Sequence, residues 1–305
     1  MTKDTFKFFL YRLNKEYRVD LFTRRTTTET DDDWIERYLT ELACSRFDLQ
    51  RETRREVFTW AVRNYQRLDS EFSSFVLARS QHQRRSTIVT DDSLTQGDSV
   101  AHPPPADTII LLVYWPRHIV VVENRSGMTT GETWLRNFHA ILDASKNELQ
   151  IPVAPRLEPI PLQGSLQHHL RSLNRVFRFR LRLKLPNPEL SRWAERVYDE
   201  MIEGHLTEYL QEFVSPEGIN VDEGSRAHSS AAMAEFGYKE GPVTIEGERD
   251  GSPISIEEGK SAIRGKIDQL HSLIRGLETN ATGSNFPRAL GIIRQEIDRL
   301  FPHES

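Results

Sequence analysis

Arg178, Arg180, Arg182 and Lys184 recur at every second position of RVFRFRLRLKLPNP, the stretch from Arg175 to Pro188. Phe177, Phe179, Leu181, Leu183 and Leu185 fall between them. A period of two sends alternate side chains to opposite faces of a strand, so one face is cationic and the other apolar. Such a strand suits an antiparallel sheet with one solvated side. With Arg171 and Arg175 upstream, the row could contact the phosphates of a nucleic acid or the carboxylates of an acidic partner. The alternative is internal. Like charges on one face repel, and Glu246, Glu248, Glu257 and Glu258 supply opposite charge on a hairpin expected at 243–258.

A second set is Asp107, Glu123 and Arg125. They lie at the ends of two apolar runs, TIILLVYW and HIVVVEN, which Pro116-Arg117 separates and which therefore predict a hairpin. Two carboxylates can hold Mg2+ and a nearby cation can help to activate water. The arrangement resembles metal-dependent nucleases of the restriction-enzyme class, with an acid on the first strand and Glu-x-Lys on the second. The chain departs from that pattern: Arg125 stands in the lysine position, and Asp107 opens its strand instead of closing it. Mg2+ is the cofactor this resemblance implies; outside it, no cofactor is expected.

Other candidates carry less chemistry. His205, Glu208 and Glu212 share a face if residues 188–213 form a helix, and histidine with carboxylates can bind metal. The same helix is acidic throughout, so a solvated face is the preferred reading over a metal site. His168-His169 has no third ligand motif. Cys44 is the only cysteine, which excludes an internal disulfide and reads as a small buried hydrophobe. No phosphate-binding glycine loop and no nucleophile elbow is present.

The elements that must position these residues follow from periodicity and punctuation. Residues 5–13 read as a strand. Asp31-Asp32-Asp33 precede Trp34, Tyr38, Leu39 and Leu42, an acidic helix start with helical spacing. A strand is expected after Phe58. The hairpin at 108–125 is continuously apolar and should be covered on both faces. Trp134, Leu135, Phe138, Ile141 and Leu142 mark a helix, and residues 165–173 a shorter one. Asp250-Gly251 between Val243–Ile245 and Ile254–Ile256 signals a hairpin turn. Ile263, Ile267, Leu270, Ile274 and Leu277, then Leu290, Ile293, Ile297 and Leu300, predict two closing helices.

The expected fold is therefore α+β: a mostly antiparallel sheet covered by helices, ending in a C-terminal helical hairpin. An N-terminal lobe is expected at 1–90, a Pro-rich linker at 91–106 (DDSLTQGDSVAHPPPA), and a main lobe at 107–305. The chain has 305 residues and a net charge of -5. That charge is unevenly spread. No acid occurs between Glu158 and Glu189, whereas Glu189 to Glu258 holds 17 Asp/Glu against 5 Lys/Arg. The charged N-terminus does not resemble a secretory signal, and no apolar run reaches the roughly 18 residues of a membrane span, so a cytoplasmic location is expected.

The segments HIVVVENRSGMTTGETWLRNF, RLKLPNPEL and GERDGSPISIEEGK resemble bacterial proteins of unknown function that occur around phage-defence and mobile-element genes. The similarity runs from about residue 107 onward and implies a cytoplasmic role in defence or toxicity, with no functional residue carried over. Three functions are thus expected as alternatives. The first is a non-enzymatic binding or accessory protein using Arg171, Arg175, Arg178, Arg180, Arg182 and Lys184. The second is a nuclease built on Asp107, Glu123 and Arg125. The third is a scaffold that self-associates through 258–301.

Overall fold

Two antiparallel sheets organise the chain in a computed structural model that describes residues 4–14, 31–43, 47–52, 56–89, 94–100, 105–149, 155–162, 164–184, 195–206, 208–258, 261–279 and 285–302. The larger sheet is built on the expected hairpin, β6 (Ala106–Tyr114) and β7 (Ile119–Glu123), paired from Leu111↔Val122 to Tyr114↔Ile119. Its other strands are β1 (Thr5–Asn14), β2 (Leu49–Glu52), β3 (Glu56–Arg67), β4 (Phe72–Val89), β5 (Leu94–Val100), β8 (Arg156–Pro159) and β13 (Arg264–Asp268). The order is β13-β1-β7-β6-β4-β3-β2, with β5 on β4 and β8 on β1.

Ile109 to Val113 and Ile119 to Val122 are fully buried, because the sheet is covered on both sides. One side packs on α1 (Asp31–Leu42) through Ile35, Tyr38 and Leu39, and on α2 (Thr133–Glu148) through Trp134, Phe138 and Ile141. The Tyr38 hydroxyl ties the two helices by donating to the Leu142 carbonyl at 2.6 Å. The other side meets the second sheet and the helices α3 (Ser165–Ser172), α5 (Arg226–Glu235), α6 (His271–Arg275) and α7 (Phe286–Leu300). The second sheet has the order β10-β9-β11-β12, formed by β9 (Arg175–Lys184), β10 (Glu208–Val214), β11 (Val243–Arg249) and β12 (Ser252–Glu258). Asp250 and Gly251 both have positive φ, 51° and 77°, as the tight hairpin turn between β11 and β12 requires. No helix among the described residues is long and apolar enough to cross a membrane.

Three expectations are corrected. Residues 263–277 do not form the first arm of a helical hairpin; they form β13, α6 and a 3-10 turn at Gly276–Thr279. A spacing of four residues fits one face of a strand as well as one face of a helix, so Ile263 and Ile267 satisfied both. Gly265 decides the matter: a Cβ there would sit 2.1 Å from the Phe8 ring of the neighbouring strand. The second arm, α7, is a helix, but Leu290, Ile293 and Ile297 are buried in the core. That stripe of the 258–301 region is therefore already covered.

The helix expected over 188–213 stops early. It is α4 (Glu195–Glu203), followed by β10. His205 takes a left-handed φ of 52° at the break, and EYLQEFV then alternates with Gln211 buried and Leu210 and Val214 exposed. The expected linker also differs. Residues 94–100 form β5, which continues along β4 where β6 leaves it: Ser80↔Ala106 closes one ladder and Gln83↔Val100 opens the other. The large sheet takes strands from both sides of 91–106, so a division into lobes at that point does not follow the sheet. Pro103, Pro104, Cys44 and the Asn187-Pro188 break lie outside the described residues.

The junction between the sheets is polar. Arg12 on β1 is completely buried; its Nε donates to the Phe236 carbonyl at 2.8 Å and its Nη1 to the Arg117 carbonyl. Its guanidinium lies over the rings of Tyr238, at 4.7 Å, and Phe301, at 5.4 Å. Arg117, also buried, reaches Asp298 at 3.0 Å and the Phe301 carbonyl at 2.6 Å. Gly237 permits the close approach: its φ is 82°, and a Cβ would meet the Arg12 side chain at 2.8 Å. Beside it, buried Lys239 faces Glu158 at 3.6 Å and donates to the Gly241 carbonyl at 3.0 Å. Burial pushes the Glu158 carboxyl up to about 7, with Lys239 opposing the shift. Burial lowers the Lys239 ammonium.

Replacing Arg12 by Met leaves the Phe236 and Arg117 carbonyls without this donor inside the core. The expected loss is about 3 kcal/mol of unfolding free energy in urea titration. The Glu158 shift gives a second prediction. Its folded value lies above the unfolded value, so its contribution is full below about 4.5 and is lost as pH rises through about 7. Urea midpoints at pH 5 and pH 8 should show wild type losing stability relative to Glu158→Gln as pH rises.

Candidate functional site

On the outer face of the small sheet, the basic strand is met by carboxylates from both neighbours. β9 pairs with β10 from Lys184↔Glu208 to Arg178↔Val214, and with β11 at Arg180↔Thr244 and Arg178↔Glu246. Arg178 reaches Glu212 at 3.0 Å and Glu246 at 3.4 Å. Arg182 reaches Glu208 at 3.2 Å and Glu240 at 3.8 Å. Lys184 is buried and holds both Glu208, at 2.7 Å, and Glu240, at 2.9 Å. Its hydrogen bond is the main cause holding the Glu208 carboxyl below its ordinary value. The arginine bridges are about half exposed, so each contributes under about 1 kcal/mol; they fix charge distribution more than stability.

The internal pairing expected from the sequence is therefore present, but with a different cast. Of the glutamates expected to answer the row, Glu246 does so directly. Glu257 and Glu258 lie on β12, separated from β9 by β11. The principal partners, Glu208 and Glu212, belong to the stretch expected as a solvated helical face, where with His205 they are metal ligands only in the alternative reading. On a strand their spacing of four puts them on one side, opposite cations, and His205 falls outside β10. Arg171, Arg175 and Arg180 are exposed and make no ion pair among the described residues.

The second candidate set is divided between the two faces of the large sheet. Thr108, Ile110 and Glu123 belong to one face, and Asp107 points to the other. Asp107 is exposed and pairs with Arg79 at 2.8 Å. Glu123 is 2% exposed, accepts from the Ile110 N–H at 3.1 Å and from Arg275 at 3.0 Å, and has His271 at 3.5 Å. Arg125 donates to the Thr108 carbonyl at 2.8 Å and to its hydroxyl at 3.1 Å. Arg275 also pairs with Glu278, whose carboxylate accepts from Thr108. This network joins the end of the hairpin to α6 and the 3-10 turn. It does not bring Asp107 and Glu123 together, and no cluster of three metal-ligating side chains occurs among the described residues.

Arg275 is the partner of Glu123 that the sequence did not suggest. It sits three residues before Glu278 in a segment read as an apolar-striped helix, and a lone arginine gives no signal there. Arg275→Met leaves a buried carboxylate without its cation and is expected to cost about 3 kcal/mol in chemical denaturation. Adding Glu123→Gln should recover part of that loss, a coupling that a double-mutant cycle reads directly.

No protein-family model matches the chain, and no curated protein sequence matches it.

Proposed function

We propose that this chain is a non-enzymatic binding protein whose working surface is the outer face of the four-stranded sheet, and that its partner is a protein. The observation that carries this reading is the mixed character of that face. Arg178, Arg182 and Lys184 are neutralised by Glu208, Glu212, Glu240 and Glu246, while Leu210 and Val214 stand 50% and 64% exposed beside them. Apolar groups next to arginine are the composition of a protein interface. A nucleic acid would have to displace those carboxylates before its phosphates reached more than Arg171, Arg175 and Arg180. The setting proposed is an accessory role in bacterial phage defence, in the cytoplasm, which rests on the resemblance of the segments within residues 118–138, 182–190 and 247–260.

Fluorescence polarisation with labelled duplex DNA, single-stranded DNA and RNA over a salt series tests this. Wild type and the triple variant Arg178→Gln, Arg180→Gln, Arg182→Gln should bind equally weakly. Tight binding that falls steeply with salt and is lost in the variant would replace the reading with a phosphate-binding one.

A further inference from the structure

The hydrogen-bond pattern of β9 shows which way β10 faces its free edge. The Lys184 N–H donates to the Tyr238 carbonyl at 3.1 Å, and the Glu240 N–H donates to the Arg182 carbonyl at 3.0 Å. The even-numbered residues of β9 from Arg178 to Lys184 therefore bond toward β11. The Ser215 N–H donates to the Phe177 carbonyl at 2.9 Å, so the odd-numbered residues bond toward β10. In an antiparallel ladder, residues opposite each other share the same state, bonded or not. Tyr209, Gln211 and Phe213 lie opposite Leu183, Leu181 and Phe179 and use their backbone groups on β9. Glu208, Leu210, Glu212 and Val214 lie opposite Lys184, Arg182, Arg180 and Arg178 and direct theirs away from β9. β10 is an end strand, and no described strand pairs with that edge.

Exposed edges are normally blunted by charged side chains, lysine above all, by proline or by a bulge. β12, the opposite end strand, carries Pro253. β10 carries no proline, lysine or bulge in EYLQEFV; its only charges are the carboxylates of Glu208 and Glu212, and its register with β9 has no shift. The pairing it already makes indicates what suits it. β9 offers cations opposite β10's outer face and Phe179, Leu181 and Leu183 on the inner one. Glu208 and Glu212 remain about 40% exposed, so their carboxylates are open from the free side as well. Tyr209 and Phe213, on the inner face, are only partly buried.

We infer that β10 is an acceptor edge for strand addition by an extended partner segment in which Lys or Arg alternates with apolar residues. The cations would line up with Glu208 and Glu212, the apolar side chains would cover Tyr209 and Phe213, and main-chain bonds to the outward groups would supply the common affinity. The inference rests on the reading of the small sheet as a protein-binding surface and names the partner's chemistry.

The probe is a labelled Lys-Val repeat octapeptide, with a Glu-Val repeat of the same length as control. Fluorescence polarisation should show the Lys-Val peptide binding and the Glu-Val peptide at least about tenfold weaker. Leu210→Pro and Glu212→Pro each delete one outward N–H while leaving the bonds to β9 intact. Each should weaken binding about tenfold, and Leu210→Ala, which keeps its N–H, should do so far less. Amide exchange on wild type reads the same contact without a variant: Leu210, Glu212 and Val214 should slow on peptide addition while Gln211 does not. Three results overturn the inference. One is no binding of the Lys-Val peptide. Another is binding indifferent to both proline variants, which places the contact on the face. The third is a concentration-dependent mass in sedimentation that Leu210→Pro abolishes, which gives the edge to a second copy of this chain. The nucleic-acid titration fails or succeeds independently of all three.

Discussion

A guanidinium inside the core fixes the relation between the two sheets. Burying a charge without compensation is prohibitive, so Arg12 must find acceptors, and it finds them in the backbone of a different layer. The segment Phe236–Gly241 is thereby held against β1 and β8 through a side chain whose geometry tolerates little displacement. That segment leads into β11, which sets β9, which in turn sets β10. The placement of every outward charge on the small sheet descends from this contact. Arg117 repeats the device at the end of α7, so the same aromatic ring, Phe301, is shared by two cations.

The sequence showed a basic segment followed by an acidic one and suggested a strongly polarised surface. Folding cancels much of that polarity. The acidic segment contributes β10 and β11, the strands that flank β9, so the two halves of the asymmetry become neighbours. Local charge along a chain is a poor guide to surface potential when the oppositely charged stretch is the adjacent strand. The same arrangement explains why a glutamate pair that resembles metal ligands on a helix becomes a pair of counterions on a strand.

What was legible follows a physical rule. The hairpin at 108–125 and the basic strand declared themselves because a run of β-branched residues and a strict alternation each have one solution. Spacings of four were ambiguous, which is why Ile263–Ile267 and Glu208–Glu212 were read as helical. Neighbouring glycine settled the first case only once Phe8 was known to lie across from it. Residues 91–106 read as a linker because three successive prolines in a stretch almost without apolar residues are extended and stiff, yet β5 and β6 on its two sides share one edge of β4. The buried network of Arg12, Arg117, Glu158 and Lys239 was invisible, although Arg12 shares the strand parity of Phe6, Phe8 and Leu10. A charged residue in phase with a core stripe is the signal that could have found it.

The neighbours of β1 carry a consequence for biosynthesis. β1 is completed by β7, β8 and β13, all drawn from later in the chain, and its hydroxyl contact from Thr5 to Asp268 spans 263 positions. During translation β1 has no ladder partner until β7 emerges; β8 then takes Tyr11–Asn14 on its outer edge, and Thr5–Phe9 stay unpaired there until residue 268 has cleared the ribosome. Non-local closure of this kind slows folding and leaves an aromatic strand, FKFFLYRL, exposed in the nascent chain. The hairpins from β2 to β7 can thus pair as they emerge, the edge where β13 meets β1 closes last, and holding chaperones have a long interval in which to act on β1.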